Sequence, residues 1–454
     1  MPFVTAGGGS LDTEHDVVVV GANVAGACSA RHLAERGLRV ALVERQSREE
    51  LGSRSCGDGL ERFQFNRLGL EVPRGEFILR DVEVAYLCSP DRRVRFRGVG
   101  AGIAIDRFAL NQHLLEEASG AGARLLDRTE ALSPLVEGGA VTGVQVRDGR
   151  TGETSRMTAP VTVDATGWRG VLRRQLPPAW PIAETIPDHE MAVAYREERR
   201  RPRPREDLMV EATFDFEIAP GGLYWYADRS ETLVNVGIGM QRQPGMPSPR
   251  GTVRGRVLPI YPDLEGTEVI RAGGGMIPNR RPLDCFAADG MVAVGDAACH
   301  VNPLSGSGIG ASMYASRILS RVVSEALESG GAPAASDLFP YVTAYQRGYG
   351  GDQAAFQVVR GTLQSLTNRQ LNRVMGTGTL SEEDLLTAVR TGRLDLGFGQ
   401  KLRAATRLLG EPGLVRALLR MQRRMEAVRG HYAEYPEDVG ELAGWRSRTA
   451  GMFR

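Results

Sequence analysis

Gly295-Asp296-Ala297-Ala298-Cys299-His300-Val301-Asn302-Pro303-Leu304-Ser305-Gly306-Ser307-Gly308-Ile309-Gly310 is the stretch from which the rest of the chain is read. An apolar run over 291–294 leads into it and reads as a short buried strand. A helical pattern (Ala311, Met313, Ala315, Ile318, Leu319, Val322, Val323) leads out. A strand that feeds an acid and then a Gly-rich turn into a helix N-terminus makes an anion-holding site, because free N–H groups and the positive helix end converge there. Glycines let backbone approach a flat or charged ligand with no Cβ between them.

A second turn of this kind lies at the other end of the chain. Residues 15–20 form an apolar, β-branched run ending in Gly21-Ala22-Asn23-Val24-Ala25-Gly26. A helix follows (Ala27, Ala30, Leu33, Ala34), stopped by Gly37, and a second strand over 40–43 ends at Glu44. This βαβ unit, with an acid about twenty residues past the turn, is the arrangement in which a pyrophosphate sits on the helix N-terminus and the acid binds a ribose diol. The middle glycine of G-x-G-x-x-G is Asn23 here. Asparagine tolerates positive φ better than most residues, so the turn is expected to survive with an altered phosphate contact.

Size and charge bound the rest. The 454 residues suffice for two or three domains. Lys+Arg 56 against Asp+Glu 55 argues against nucleic acid as a partner, which would favour a concentrated basic face. Cys28, Cys56, Cys88, Cys285 and Cys299 are scattered, with no C-x-x-C pair, as expected of a reducing, cytoplasmic setting. No His/Cys/Asp cluster has metal-ligand spacing, so no metal is expected. Residues 1–14 lack the basic and apolar regions of a signal peptide and read as a flexible tail. No apolar run reaches membrane-spanning length.

Between the two turns, Ser55-Cys56-Gly57-Asp58-Gly59-Leu60 precedes a helical stretch to Leu68; it reads either as a tight backbone site or as a surface turn. Residues 80–100 alternate apolar and polar, as strands with one wet face do. Arg107, at a strand-to-helix junction, can reach phosphate or pair with Asp106 or Glu116. Residues 161–168 read as a buried strand closing in a tight turn. Residues 186–270 read as an antiparallel sheet, with strands over 190–195, 208–216 and 233–238 and a basic, Pro-rich separator over 196–205. Within it, Tyr224-Trp225-Tyr226 beside Asn235-Val236-Gly237-Ile238-Gly239 is either core or ligand wall, the glycines favouring a cavity. From 331 onward the chain is helical. The arginine-rich amphipathic stretch (Leu402, Ala405, Leu408, Leu409, then Val415, Leu418, Leu419, Met421, Met425) either lies on anionic lipid or packs on its own protein.

Together these pieces resemble the geranylgeranyl reductase family of FAD-dependent oxidoreductases, with the p-hydroxybenzoate hydroxylase type of flavoprotein fold. The resemblance covers about residues 15–330 and rests on the first turn with Glu44, Cys56-Gly57-Asp58-Gly59-Leu60, Asp106-Arg107, Asp164-Ala165-Thr166-Gly167, Gly237-Ile238-Gly239 and the run from Gly295 to Ile309. It implies an α/β fold: a Rossmann-like FAD-binding domain (15–80, 101–185, 271–330), an inserted antiparallel-sheet substrate domain (81–100, 186–270) and a C-terminal helical domain (331–454). It implies that Gly21, Ala22, Asn23, Ala25 and Gly26 cradle the FAD pyrophosphate and that Glu44 binds the ribose. Arg45, Gly57, Asp58, Arg107 and Ala131 would line the cofactor. Gly295 and Asp296 would hold the ribityl chain, and Pro303, Gly306, Gly308 and Ile309 would face the flavin. Cys56 would stand beside the ring, as a proton donor or as a small residue that fits. The family's Tyr-x-Trp-x-Phe pattern retains only Trp225, flanked by Leu223 and Ala227; Tyr224 and Tyr226 are expected to help bind substrate, although they point to the opposite face if the segment is a strand.

The resemblance implies reduction of carbon–carbon double bonds in an apolar, isoprenoid (geranylgeranyl-type) substrate. With one nucleotide fingerprint, electrons are expected from transiently bound NAD(P)H or a reduced carrier. Peripheral membrane contact is left open. The alternative is an FAD monooxygenase hydroxylating a hydrophobic small molecule or natural-product intermediate. A halogenase is disfavoured, because the lysine that family uses in its N-terminal half is absent and the sole lysine is Lys401. A flavoprotein that binds a lipid-like ligand without turnover is a reading of another class.

Overall fold

The computed structural model describes residues 15–52, 57–376 and 411–453. Four consecutive valines form the strand Val17–Val20, buried throughout. Parallel partners lie on both sides, Val40–Val43 and Val161–Asp164. Arg124–Leu126 extends the sheet beyond the first, and Met291–Ala293 with the antiparallel Ala287–Ala288 beyond the second. Strands covered on both faces read as unbroken apolar runs, which is why Val-Val-Val-Val and Val-Ala-Leu-Val serve here. The helix Val24–Ala34 packs against Arg107–Gly120 and Ile309–Glu328. Ser29 Oγ donates to Ser316 Oγ at 3.0 Å between the first and third of these helices. A three-stranded antiparallel sheet, Thr129–Glu137, Ala140–Asp148 and Thr154–Thr158, lies beside them.

An eight-stranded sheet runs in the order Glu268–Pro278, Met191–Arg200, Leu233–Gln241, Leu223–Asp228, Val210–Thr213, Ile78–Cys88, Arg95–Ile105, Gly59–Glu61. All neighbours are antiparallel except Val210–Thr213 with Ile78–Cys88. Two sequence expectations are corrected here. Residues 196–200 do not separate strands but continue one, because their charges are matched along the strand: Arg199 pairs with Glu197, and Arg196 with Glu198 at 3.5 Å. The strand expected over 208–216 is only Val210–Thr213. Asp215 ends it by accepting from the Glu217 and Ile218 N–H groups, an Asx-type turn.

One face of this sheet has its own core, where Tyr224, Tyr226, Val234, Val236 and Ile238 meet Val253, Val257 and Tyr261. In the C-terminal part, the helix Pro412–Ala433 packs on Gly351–Gln364 and buries Met421, Met425 and Val428. Its apolar stripe from Leu414 to Val428 therefore meets protein, with Leu419 left 38% exposed; Leu402, Ala405, Leu408 and Leu409 lie outside the described residues. No helix among the described residues is long and apolar enough to cross a membrane.

Candidate active site

The two Gly-rich turns meet at the carboxyl end of the parallel sheet. Gly21 has φ +99°, and a Cβ there would stand 2.4 Å from the Ala165 carbonyl oxygen. A Cβ on Gly26 would be 1.7 Å from the Gly21 oxygen, so the helix can lie this close to the turn only with glycine. A Cβ on Gly295 would press on the Ala25 side chain at 2.7 Å. Asn23 departs from expectation. Its φ is −79°, an ordinary extended value, so no positive φ is required of it. Asn23 is the N-cap but its side chain makes no capping bond, and its Oδ1 is buried with no partner. A helix start uncapped by its own side chain, with a buried unpartnered amide oxygen beside it and a turn packed too closely for a Cβ at Gly21 or Gly26, is a fit for a pyrophosphate.

Glu44 is buried at the end of its strand, accepting from the N–H groups of Ala22 and Gln46, both at 3.0 Å. Arg45 beside it is exposed. Ala131 is half-buried in a strand whose Thr129 N–H donates to the Glu44 carbonyl at 2.8 Å. Arg107 is buried and pairs with neither Asp106 nor Glu116. Its Nη1 donates to Asn111 Oδ1 at 3.5 Å, and Asn111 Nδ2 donates to the Ala22 carbonyl at 3.1 Å, which places the guanidinium beside the first turn. Asp106 instead caps its own helix through the Phe108 and Ala109 N–H groups.

The far turn is braced from behind. Gly295–Ala298 is a 3₁₀ turn, and His300 Nδ1 accepts the Gly295 N–H at 3.2 Å while its ring stacks on Tyr345 at 3.9 Å. Burial pushes the His300 pKa down to about 3, so the ring is neutral and serves as scaffold. Asp296 is half-buried at the turn and Pro303 is buried. Gly308 is the N-cap of Ile309–Glu328, and no side chain caps that helix start.

Between this helix start and the open face of the eight-stranded sheet lies a cavity of about 420 Å³, lined by Pro303, Gly306, Gly308 and Ile309 on one side. Its other wall is made of small residues, among them Ala192, Ala194, Ala212 and Ala227, with Gly239 and Trp225. Strand alternation sorts the aromatic cluster: Leu223, Trp225 and Ala227 face the cavity, while Tyr224 and Tyr226 lie wholly in the core of the opposite face. The expectation that Tyr224 and Tyr226 bind substrate is thereby corrected. Tyr226 donates its hydroxyl to Asp263 at 2.7 Å.

Trp225 lies over Gly237, where a Cβ would stand 2.3 Å from the indole. Its Nε1 donates to Asn235 Oδ1 at 2.9 Å, and Asn235 Nδ2 donates to Asp58 Oδ2 at 2.9 Å. Asp58 has φ +56° and a buried carboxylate turned onto Asn235, Arg196 (3.5 Å) and Arg229 (3.7 Å). Burial raises its pKa, against the pull of the two arginines. Gly57 lines the cavity, whereas Asp58 points behind its wall. Cys56 lies outside the described residues. Arg196, Glu61 and Arg360 also stand on the cavity wall, and none of them is among the site residues expected from the sequence. Arg360 is buried, donates from Nη1 to Gln241 Oε1 at 2.6 Å and has its pKa lowered by burial to about 10. Only Glu61 had a readable signal, because it directly follows the Gly57–Leu60 run and shares a strand face with Gly59.

A dinucleotide cradle opening onto an apolar cavity over an antiparallel sheet defines a flavoprotein oxidoreductase of the p-hydroxybenzoate hydroxylase type. Residues 104–337 match the FAD binding domain family, and residues 16–173 the FAD dependent oxidoreductase family. The digeranylgeranylglycerophospholipid reductase of Sulfolobus acidocaldarius is 33% identical over 443 residues, 97% of this chain and 98% of that one. Among solved structures, a geranylgeranyl bacteriochlorophyll reductase-like protein from Thermoplasma acidophilum superposes with a TM-score of 0.73 at 21% identity, covering 90% of this chain and 99% of that one. A myxobacterial chondrochloren halogenase does so at 0.60 and 19%, covering 89% and 97%; these two likenesses concern the fold alone. The chain belongs to the geranylgeranyl reductase family of FAD-dependent oxidoreductases.

Replacing Glu44 by glutamine removes the charge from hydrogen bonds to a ribose diol, each worth about 1.5–3 kcal/mol, and turns an amide NH2 against the Ala22 or the Gln46 N–H. Glu44→Gln is expected to bind FAD at least tenfold more weakly with the fold intact, read by flavin fluorescence titration and circular dichroism. An unchanged affinity would mean that the Ala22 and Gln46 N–H groups are the carboxylate's whole function.

Proposed function

We propose that this protein uses reduced FAD to saturate carbon–carbon double bonds of an isoprenoid lipid held in the 420 Å³ cavity. The observation that carries the reading is the continuity of that space: the Gly306–Ile309 helix start and an apolar floor of alanines and glycines bound one cavity. The cofactor supplies hydride. The protein's part is to seat an extended apolar chain against Trp225 and Leu223, exclude water and deliver a proton. Cradle residues Gly21, Ala22, Asn23, Ala25 and Gly26, with Glu44 and Arg107, would hold the nucleotide half. Gly295, Asp296, Pro303, Gly306, Gly308 and Ile309 would hold the flavin half. Electrons would come from an external donor, NAD(P)H or a reduced carrier, since the chain has one nucleotide fingerprint. A lipid substrate implies peripheral contact with a membrane, from which it would be drawn.

The test is an anaerobic half-reaction. Protein reduced with dithionite is mixed with geranylgeranyl-bearing glycerolipid, and both flavin absorbance and product mass are followed. Reoxidation with a gain of two hydrogens is the expected outcome. Turnover only on admission of oxygen, with a gain of one oxygen, would replace the reductase by a hydroxylase.

A further inference from the structure

Saturating an isolated double bond requires a proton as well as a hydride, and the cavity holds few groups able to give one. The short edge strand Gly59–Glu61 pairs with Gly102–Ala104 of the neighbouring strand. A Cβ on Gly102 would stand 2.1 Å from the Leu60 carbonyl, so the two backbones approach closely there. Leu60 is a core residue that also borders the cavity, while Gly59 and Glu61 share the other face of the strand and line the cavity with it.

Glu61 Oε2 is buried and has no hydrogen-bond partner, and no cation among the described residues pairs with the carboxyl. The groups that face it are the Ser307 and Ser305 hydroxyls, from the loop before the helix Ile309–Glu328, and Tyr349. Tyr349 is itself held protonated, its pKa pushed up to about 12 by burial and in part by Glu61. Burial raises the Glu61 pKa, and only the two serine hydroxyls oppose it. The other candidates fail on geometry. The Tyr195 hydroxyl donates to Glu197 at 3.0 Å, and Tyr195 pairs with Ile238 of the opposite face. Tyr86 pairs across the strands with Glu211, next to the cavity-facing Ala212. Asp58 sits behind the wall on Arg196 and Arg229. Glu211 also lines the cavity, but one oxygen is taken by Arg92 (2.5 Å) and the Tyr261 hydroxyl (2.6 Å), the other by Arg95 (3.1 Å). Tyr224 and Tyr226 belong to the opposite face.

We propose that Glu61 is the general acid of this site, donating the proton that completes reduction of the double bond; this rests on the alkene-reductase reading above. In the step, the π pair of the substrate is consumed. Hydride from the reduced cofactor forms one C–H bond, and the other forms as the Glu61 O–H breaks. The hydride, which bound reduced FAD would supply, brings two electrons and one proton; the second proton leaves Glu61, and the carboxylate recovers it from solvent past Ser307 and the exposed Ser305.

Two readings test this. In FAD-free protein, infrared difference spectra across a pH titration are expected to show a protonated-carboxyl C=O band persisting well above the ordinary glutamate value of about 4.3 and missing in Glu61→Gln. In the anaerobic half-reaction, Glu61→Gln is expected to keep its FAD and reduce normally, yet to be reoxidised by the lipid roughly 10²-fold more slowly. Glu61→Asp should recover part of the rate. The parental rate should fall as pH rises through the raised Glu61 pKa, since only the protonated form donates, and Glu61→Gln should lack that limb. Parental-rate reoxidation in Glu61→Gln, or a loss confined to Cys56→Ser, would overturn the proposal. A parent that reduces no isoprenoid lipid would sink the substrate reading instead; the infrared band then decides alone whether Glu61 is a neutral acid, and its absence overturns the assignment.

Discussion

Gly26→Ala is expected to yield a protein that purifies without FAD. The added methyl would stand 1.7 Å from the Gly21 carbonyl oxygen and 3.3 Å from the Ala165 side chain. Both obstacles belong to the parallel sheet's own turns, so the helix Val24–Ala34 has to back away by more than an ångström. Overpacking of this kind costs about 1–3 kcal/mol, occasionally more. The displacement falls on the helix start that the phosphates would contact, and N–H groups aimed at an anion lose their value when they move off it. Gly37→Ala is the control. Gly37, unlike the helical Gly26, has positive φ, +83°, but its Cβ would meet nothing within 4 Å. That variant should carry full FAD and lose only about 1 kcal/mol of stability from backbone strain. The measurement is the flavin-to-protein ratio after denaturing release, together with a thermal melt of each variant. Full flavin content in Gly26→Ala would show that the cradle tolerates a shifted helix.

The second large effect is expected at Gly239, on the opposite wall. This glycine lines the cavity, and a Cβ on it would meet nothing within 4 Å. Gly239→Leu therefore projects its side chain into the cavity without disturbing the register of Leu233–Gln241 with its neighbours. FAD binding and flavin reduction should be unaffected. Reduction of a geranylgeranyl chain should fall roughly 10³-fold, because placement of reactants is worth about 7–11 kcal/mol and losing about 4 of them costs that factor. A short prenyl substrate should be affected less. Equal loss for long and short chains would mean that the substrate does not run across this floor.

The contrast between these two sites explains what could be read in the sequence. The first turn, Glu44 and the run from Gly295 to Ile309 are local arrangements, in which residues a few positions apart build the site. Their spacing therefore carries the information. The substrate wall is assembled from strands distant in the chain. Asp58 meets Asn235, 177 residues away in sequence, and nothing in either segment announces the other. Trp225 was legible through its motif, yet Tyr224 and Tyr226 were assigned with it, although a strand must send them to the opposite face. The arginines over 196–200 looked like a linker because charge in a strand is read as exposure. In the fold, Glu197 and Glu198 are buried and matched to Arg199, Arg254, Arg196 and Arg229. Asn23 suits a turn through its tolerance of positive φ, whereas the fold places that demand on Gly21. Glu61 carries little signal in the sequence, because a single acid beside a motif reads as solvated until a sheet edge turns it inward.

The floor of the cavity is built from side chains that are not there. Ala192, Ala194, Ala212, Ala227 and Gly239 leave the backbone of four strands nearly bare toward the ligand. At those positions the surface can drift in one direction only. A single base change turns glycine or alanine into valine, and each such step shortens the space left for a chain. At these five positions no comparable step lengthens it, because almost nothing remains to be removed; more room has to come from the larger neighbours on the same wall, Leu223 and Trp225. Descendants of this protein that act on shorter molecules are thus within reach of a point mutation at any of five positions, while a longer chain demands the trimming of Leu223 or Trp225.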